Sequence, residues 1–539
     1  MKRAFHLLFV LLSITTFSQQ TKPKKEGWHL LDEEKDGYLG ISLNKAYELL
    51  KGRKSTTVIV AVIDSGIDTL HEDLREVLWR NPKEINGNGK DDDGNGYVDD
   101  IYGWNFCGSK EGENLSRNSW EIARVYHGWR KEFEGKQEKE IPADKKFLYG
   151  QWVKAANLIN NDYEEAKAEI QNIAPFLNAL EVSSKNINKE LGITEFSVGQ
   201  IKKLVTHSNQ MIAKSAALWN ELFTNAGDTT VKSTAIITEV TNYKNQLDNN
   251  IKRKQELPED TRGALTKDNY TDINDRYYGN NNLKAHSGDH GTLVAGTIAA
   301  IRNNNKGIDG IADNVRIMAI RAVPGGDEHD KDIALAIRYA VDHGAKIINM
   351  SFGKPVSPYK QFVDDAVKYA QSKGVLLIHG SGNDGKDITE DFFYPHPVFI
   401  DGKKATNYLT IGASGDESLG AIAAPFSNYS KKHVDIFAPG VYIYSTATDN
   451  RYVRADGTSL ASPVAAGVAA LLKSYFPDLT PEQMVDIILA SGKSLNKKVD
   501  VPGPDDTEVP FSSLTASGKI INAYEAVKLA LEKEKKKAF

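Results

Sequence analysis

The chain has 539 residues, with 67 Lys+Arg against 72 Asp+Glu and a formal charge of −5. That balance argues against a nucleic-acid binder relying on a broad basic face. Apolar residues at 40% and aromatics at 9% are too many for a disordered chain and enough for a large core. The single cysteine, Cys107, leaves no intrachain disulfide and no cysteine-based zinc cluster.

Taken in chain order, residues 1–19 read as a secretory signal peptide. Lys2 and Arg3 form a positive start, residues 7–12 an apolar core, and small and polar residues follow. The apolar run is too short to anchor in a bilayer, and no later stretch approaches the roughly 18 apolar residues of a spanning helix. No cysteine follows it directly, so no lipid anchor is expected. An exported protein without a stable membrane span, periplasmic or secreted, is the expectation. Residues 20–54 are polar and Lys-rich, with a helix-like patch over Leu43–Leu50.

Residues 55–109 open an α/β domain. The β-branched run 57–63 has the composition of a strand buried on both faces, and it stops at Asp64, Ser65 and Gly66. Residues 110–268 then break the rhythm with charged amphipathic stretches that carry almost no strand signal. Ser197 with Gln200 forms a capping-box pattern, and Ile201, Leu204, Val205, Ser208, Met211, Ile212, Leu218 and Leu222 follow at helical spacing. We read this block as a helical insertion; a separately folded domain is the alternative. In 269–539 the α/β pattern resumes. Strands are expected at 315–323, 346–350, 375–379 and 408–413, with helices at 330–343 and 359–372 between them. Such alternation predicts a mainly parallel sheet with helices on both faces. Thr480, Pro481 and Glu482 start another helix, and a last one runs over 522–537.

Three short motifs carry chemistry. Asp64 ends a buried strand, at the carboxyl edge where parallel sheets place ligand sites. His290 opens a helix of small and apolar residues through Thr297. Ser459, in Gly457-Thr458-Ser459-Leu460-Ala461-Ser462-Pro463, starts a buried helix whose positive end and free N–H groups can stabilise a nearby negative oxygen. Each alone has an ordinary reading: a loop-capping aspartate, a surface histidine, a serine N-cap. Together, in the order Asp, His, Ser, they resemble the subtilisin-like serine peptidases, the subtilases. The stretch from His379 to Gly385 around Asn383 agrees, and the resemblance covers roughly 55–107 and 285–492.

The resemblance implies a subtilisin-like three-layer α/β fold and a set of roles. Ser459 would be the nucleophile, His290 its base, Asp64 the group orienting the imidazole, and Asn383 an oxyanion donor beside the Ser459 N–H. Ser351, Phe352 and Gly353 resemble the strand that pairs with the peptide and walls the specificity pocket. Gly380, Ser381 and Gly382 resemble the facing wall. Phe393, Tyr394 and Pro395 resemble the pocket floor, with His396 where relatives carry a small residue and Phe393 able to shorten the pocket, so very large side chains before the scissile bond are not expected.

Residues 86–100 form an acidic, glycine-turned loop. Asp91, Asp93, Asn95, Gly96 and Asp99 match the first half of a calcium loop, whereas Tyr102 stands in the place of the usual bidentate glutamate. A second calcium candidate, resting on resemblance alone, is Asp73 with Asn303, Asn304 and Asn305. The stretch 20–54 is too short for the inhibitory prodomain of many subtilases. The helical insertion is left with three roles: bracing the fold, shaping the cleft or regulating access. The expected function is an exported serine endopeptidase acting on proteins or peptides, with no nucleic-acid partner. A processing peptidase with few targets and a catalytically idle peptide binder are the alternatives.

Overall fold

A computed structural model describes residues 23–226, 230–284, 289–504 and 507–537; the expected signal peptide lies outside them. The described residues fall into two compact units.

The larger unit takes in residues 23–121, 137–151 and 259–537. The strands of this unit used below are β1 Val58–Asp64, β2 Gly103–Asn105, β3 Val315–Arg321, β4 Ile347–Met350, β5 Leu376–Gly380, β6 Tyr408–Ser414, β7 Ile436–Pro439, β8 Ile443–Ala447, β9 Arg451–Ala455, β10 Lys493–Ser494 and β11 Lys519–Ile520. Among the described residues, one sheet has the order β10-β11-β7-β6-β5-β4-β1-β3-β2. It is parallel throughout except at the β10–β11 edge, while β8 and β9 form a separate antiparallel pair. The mainly parallel α/β architecture expected from the sequence is therefore present. The short β2 has no apolar run to announce it.

The helices of this unit used below are α1 Leu43–Leu50, α2 Asp289–Ala299, α3 Asp330–Asp342, α4 Lys360–Ser372, α5 Thr458–Tyr475, α6 Pro481–Ser491 and α7 Ala523–Lys537. Alternate residues of β1 serve the two faces of the sheet. Val60 and Val62 join Val294, Ile298, Val464 and Val468 in one core. Ala61 and Ile63 join Ile333, Ile337, Val363 and Val367 in the other. A strand covered on both sides must be apolar at every position, which is why 57–63 reads as an unbroken run. On the first face Leu43, Ala46 and Leu50 of α1 share a core with Ala523, Ala526 and Val527 of α7. The Ala523 N–H donates to the Ile41 carbonyl at 2.8 Å.

The second unit, among the described residues, is 122–136 and 152–258, so 110–121, 137–151 and 259–268 go with the α/β unit. It is helical, its long elements being residues 152–191 of the helix Lys146–Leu191, Gln210–Ala226 and Ser233–Gln255. Phe196, Trp219, Phe223 and Leu180 centre its core, and the Trp219 indole N–H donates to Ser183 Oγ at 2.9 Å. The continuous helix implied by the spacing from Ile201 to Leu222 is not formed. A short helix Val198–Ile201 passes into a 3₁₀ turn Lys202–Thr206, and a new helix starts at Gln210. Asn209 makes the break, its side chain accepting from the Met211 N–H at 2.9 Å as an N-cap. Val205 and Met211 consequently lie exposed rather than on the buried face. The capping pattern at Ser197 holds, with its N–H donating to Gln200 Oε1 at 3.0 Å.

Candidate active site

Strands β1, β3, β4 and β5 end at one edge, because their registers pair Asp64 with Arg321, Ile63 with Met350, and Met350 with His379. Asp64 closes β1 there, 2% exposed. Its Oδ1 accepts from the Ser65 N–H at 2.7 Å and from His290 Nδ1 at 2.8 Å. His290 is the second residue of α2, and its side chain keeps 40% exposure. Gly291 lets the start of that helix meet the Asp64 loop. A Cβ there would lie 2.2 Å from the Gly66 carbonyl oxygen and 3.2 Å from Asp64 Cβ. Burial opposes protonation of the imidazole, but the Asp64 carboxylate and its hydrogen bond outweigh it and hold the His290 pKa above the usual 6.5.

Ser459 is not an N-cap. Gly457 takes that position in α5, leaving Ser459 in the first turn, where helical geometry gives its N–H no acceptor. Asn383 follows β5 by three residues. Its Oδ1 accepts from the Thr458 N–H at 2.9 Å and the Thr458 hydroxyl at 3.0 Å, so the Nδ2 donor is turned outward. Gly457 shows how close the two groups stand. A Cβ on it would lie 2.7 Å from Ser459 Oγ and 3.6 Å from Asn383 Nδ2.

Beneath Ser459 lies a polar chain that the motifs alone do not reveal. Pro463 sits inside α5 and has no N–H to offer the carbonyl four residues back, which belongs to Ser459. The Ser351 hydroxyl donates to that carbonyl instead, at 2.8 Å. Asn349 Nδ2 donates to Ser351 Oγ at 2.9 Å, and the Ser462 hydroxyl donates to Asn349 Oδ1 at 2.7 Å. The strand β4 is thereby fixed to the helix that carries Ser459.

The residues expected to bind substrate flank this point. Ser351, Phe352 and Gly353 continue β4. The Phe352 carbonyl accepts from His379 Nε2 at 2.7 Å. Gly380 ends β5 against Thr458, and the Gly382 N–H donates to Thr458 Oγ1 at 3.1 Å. Ser381 is turned inward, fully buried, its hydroxyl donating to the Asn428 carbonyl at 2.9 Å. His396 is also buried, stacked on Phe392 with ring centroids 4.1 Å apart.

The acidic loop is partly convergent. Ligand atoms of Glu84, Asp91 and Asp93 lie within 4.8 Å of one another, and Glu84 Oε2 is buried without a hydrogen-bond partner among the described residues. Glu84, seven residues before Asp91, was missed because no loop pattern includes it. Asn95 joins this region through its amide, which donates to Asp100 Oδ2 at 3.1 Å. Asp99 is used differently: its carboxylate accepts from the N–H groups of Gly87, Asn88 and Gly89 at 2.8–3.2 Å. Asp73 meets neutral donors, with Asn304 Nδ2 at 2.6 Å and the Tyr452 hydroxyl at 3.3 Å.

Comparison with known proteins places these elements in context. The model of the Subtilase family matches residues 55–506. The thermophilic serine proteinase of Bacillus sp. (strain AK1) is 44% identical over 186 residues, 34% of this chain and 42% of that protein. The thermostable alkaline protease of Halalkalibacterium halodurans is 36% identical over 196 residues, 36% of this chain and 50% of that protein. A solved structure, that of the prenylagaramide maturation protease PagA, aligns at 29% identity and a TM-score of 0.37, covering 45% of this chain and 82% of that one. The chain thus spans about half the length of the curated relatives it matches. With the family match reaching across most of its length, from before Asp64 to beyond Ser459, the chain belongs to the subtilase family.

Proposed function

We propose that the protein is an exported serine endopeptidase that hydrolyses peptide bonds of protein or peptide substrates through an acyl-enzyme. His290 takes the Ser459 hydroxyl proton as Oγ attacks the carbonyl carbon, and Asp64 stabilises the imidazolium that forms. Asn383 Nδ2 and the Ser459 N–H donate to the oxyanion, in which the carbonyl electron pair now resides. The imidazolium then gives its proton to the leaving amine as the C–N bond breaks. Water, deprotonated by His290, releases the acyl group by the same route. The supporting observations are the Asp64–His290 hydrogen bond of 2.8 Å and the setting of Gly457, where a side chain would meet both Ser459 Oγ and Asn383 Nδ2. The export assignment rests on residues 1–19. Among the described residues no helix is long and apolar enough to cross a membrane.

A structural calcium ion at Glu84, Asp91 and Asp93 belongs to the same reading. The three carboxylates offer hard oxygen ligands, and the unpartnered Glu84 Oε2 fits a cation better than it fits an empty loop. An ion there would hold the loop 84–100; it takes no part in the chemistry.

The test is hydrolysis of an unfolded protein such as casein by the purified full chain and by Ser459→Ala. Cleavage by the wild type that disappears in the variant supports the proposal. Equal cleavage by both, or none by either, overturns it.

A further inference from the structure

Three arginines share one cavity at the amino end of the sheet. The cavity has a volume of about 720 Å³ and is lined by Arg75, Arg80 and Arg316 together with Ile59, Leu78 and Trp79. Ile59 and Arg316 are register partners near the starts of β1 and β3. Asp64 closes the other end of β1, roughly 16 Å further along the strand. The segment 77–79 runs beside β3, with the Ile317 N–H donating to the Val77 carbonyl at 2.8 Å and the Trp79 N–H to the Ile317 carbonyl at 2.7 Å. The arginines therefore stand on fixed main chain, Arg75 through its own N–H on the His71 carbonyl at 3.0 Å.

Elsewhere in the same unit arginines are neutralised by carboxylates. Arg53 reaches Glu534, Arg262 reaches Asp268 and Asp332, and Arg451 reaches Asp289. Among the described residues neither Arg80 nor Arg316 reaches a carboxylate. Arg80 lies over the Tyr102 ring at 5.1 Å, which leaves the donor edge of its guanidinium open. Arg316 commits Nη1 to the neighbouring Val315 carbonyl at 2.8 Å. Arg75 has Glu76 at 4.0 Å, but the two side chains are 62% and 70% exposed, where such a pair contributes little. Glu76 is the one acidic residue of the lining among the described residues, so three arginines against one glutamate leave two positive charges. The chain as a whole carries −5. Like charges gathered in a concave site repel one another and draw in anions.

We propose that this cavity binds an acidic peptide segment whose side-chain carboxylates are taken by Arg75, Arg80 and Arg316. A guanidinium pairs with a carboxylate through two parallel hydrogen bonds. The volume suits a ligand much larger than one phosphate or one carboxylate, and Ile59, Leu78 and Trp79 offer apolar surface to the carbon portion of such a chain. The cavity is an exosite: it stands at the far end of β1 from Asp64, and occupying it requires no peptide-bond cleavage.

The test is isothermal titration of the full chain carrying Ser459→Ala, so that no peptide is cut. The probes are an end-capped octapeptide of alternating Glu and Ala, the matching octapeptide of Lys and Ala, and inorganic phosphate. The acidic peptide should bind at low salt, the basic one should not, and added salt should weaken the acidic one. Arg75→Gln with Arg316→Gln should lower its affinity by at least about tenfold. Lys498→Gln, at an exposed position outside the cavity, should leave it unchanged. Arg75→Gln alone, at a largely exposed position, should weaken binding without altering the melting temperature, so the result does not depend on the double variant folding well. No binding of the acidic peptide, equal affinity with and without the arginines, or binding of phosphate alone overturns the proposal.

Discussion

At His290 burial and the Asp64 carboxylate pull in opposite directions, and on the proposed mechanism their balance sets the working pH. Burial lowers the imidazole pKa, the adjacent carboxylate raises it, and the carboxylate wins. On the proposed mechanism Ser459 needs the neutral imidazole as its base, so activity should fall as pH drops through a value above 6.5. Asp64→Asn removes the negative charge that raises the pKa and leaves the burial that lowers it. The acid limb of the kcat/KM profile should then move to lower pH, while the rate itself falls by on the order of 10⁴ because the amide no longer enforces the tautomer with the proton on Nδ1. An acid limb that stays in place in this variant would show that another group controls it. The bonds of Asn383 suit its proposed role: with Oδ1 committed to Thr458, the Nδ2 end is left to act as the donor. These residues were legible in the sequence because each sits in a short motif. Asp64 closes an apolar run, His290 opens a small-residue helix, and Ser459 lies between Gly457 and Pro463.

At the scale of elements, the link between β4 and α5 was not legible. Asn349, Ser351, Ser459 and Ser462 lie up to 113 positions apart, and only the sheet order brings them together. Pro463 is visible in the sequence, but its consequence, a Ser459 carbonyl left to Ser351, needs the strand to be in place. Ser351→Ala strips that carbonyl and the Asn349 amide of their partner in a buried site. Such orphaned groups cost about 1–3 kcal/mol, so the variant should melt several degrees lower and turn over more slowly. Unchanged melting would mean that the link carries no energy. The break at Asn209 was hidden for a different reason: helical spacing of apolar residues continues across it, and a local N-cap overrides the periodicity. The calcium proposal belongs at this scale too. At a free ion concentration of about 100 times its Kd, a bound ion adds roughly 2.7 kcal/mol. Adding a chelator should therefore lower the melting temperature, and Asp91→Asn should abolish the difference. A melt insensitive to chelator contradicts an ion in that loop.

For the molecule as a whole, segments distant in sequence share the cores. Trp28 packs with Leu293 of α2 and Leu460 of α5, and its indole N–H donates to the Val441 carbonyl at 2.9 Å. A polar, Lys-rich stretch gave little sign of this beyond the helix at Leu43–Leu50. Burial also sets the acid stability. His29 and His379 are held neutral, their pKa values pushed down to about 3 and about 4. The unfolded chain binds protons at these sites below about pH 6.5 and the folded one does not. Their contribution is complete above that pH and is lost as pH falls from 6.5 toward 4, by up to about 1.4 kcal/mol per unit for each histidine. Urea unfolding at pH 7 and 5 reads the loss directly, and His379→Gln should flatten the dependence. The alternating α/β order and the two helix-covered faces were plain from buried runs and helical spacing. The central claim is narrower than the fold: Asp64, His290 and Ser459 form one activated unit. Labelling of the full chain with a fluorophosphonate, located by peptide mass spectrometry, tests it most directly. The account predicts label on Ser459 that is lost in Ser459→Ala and strongly slowed in His290→Ala. A folded protein that takes no label, or takes it at the same rate without His290, would contradict it.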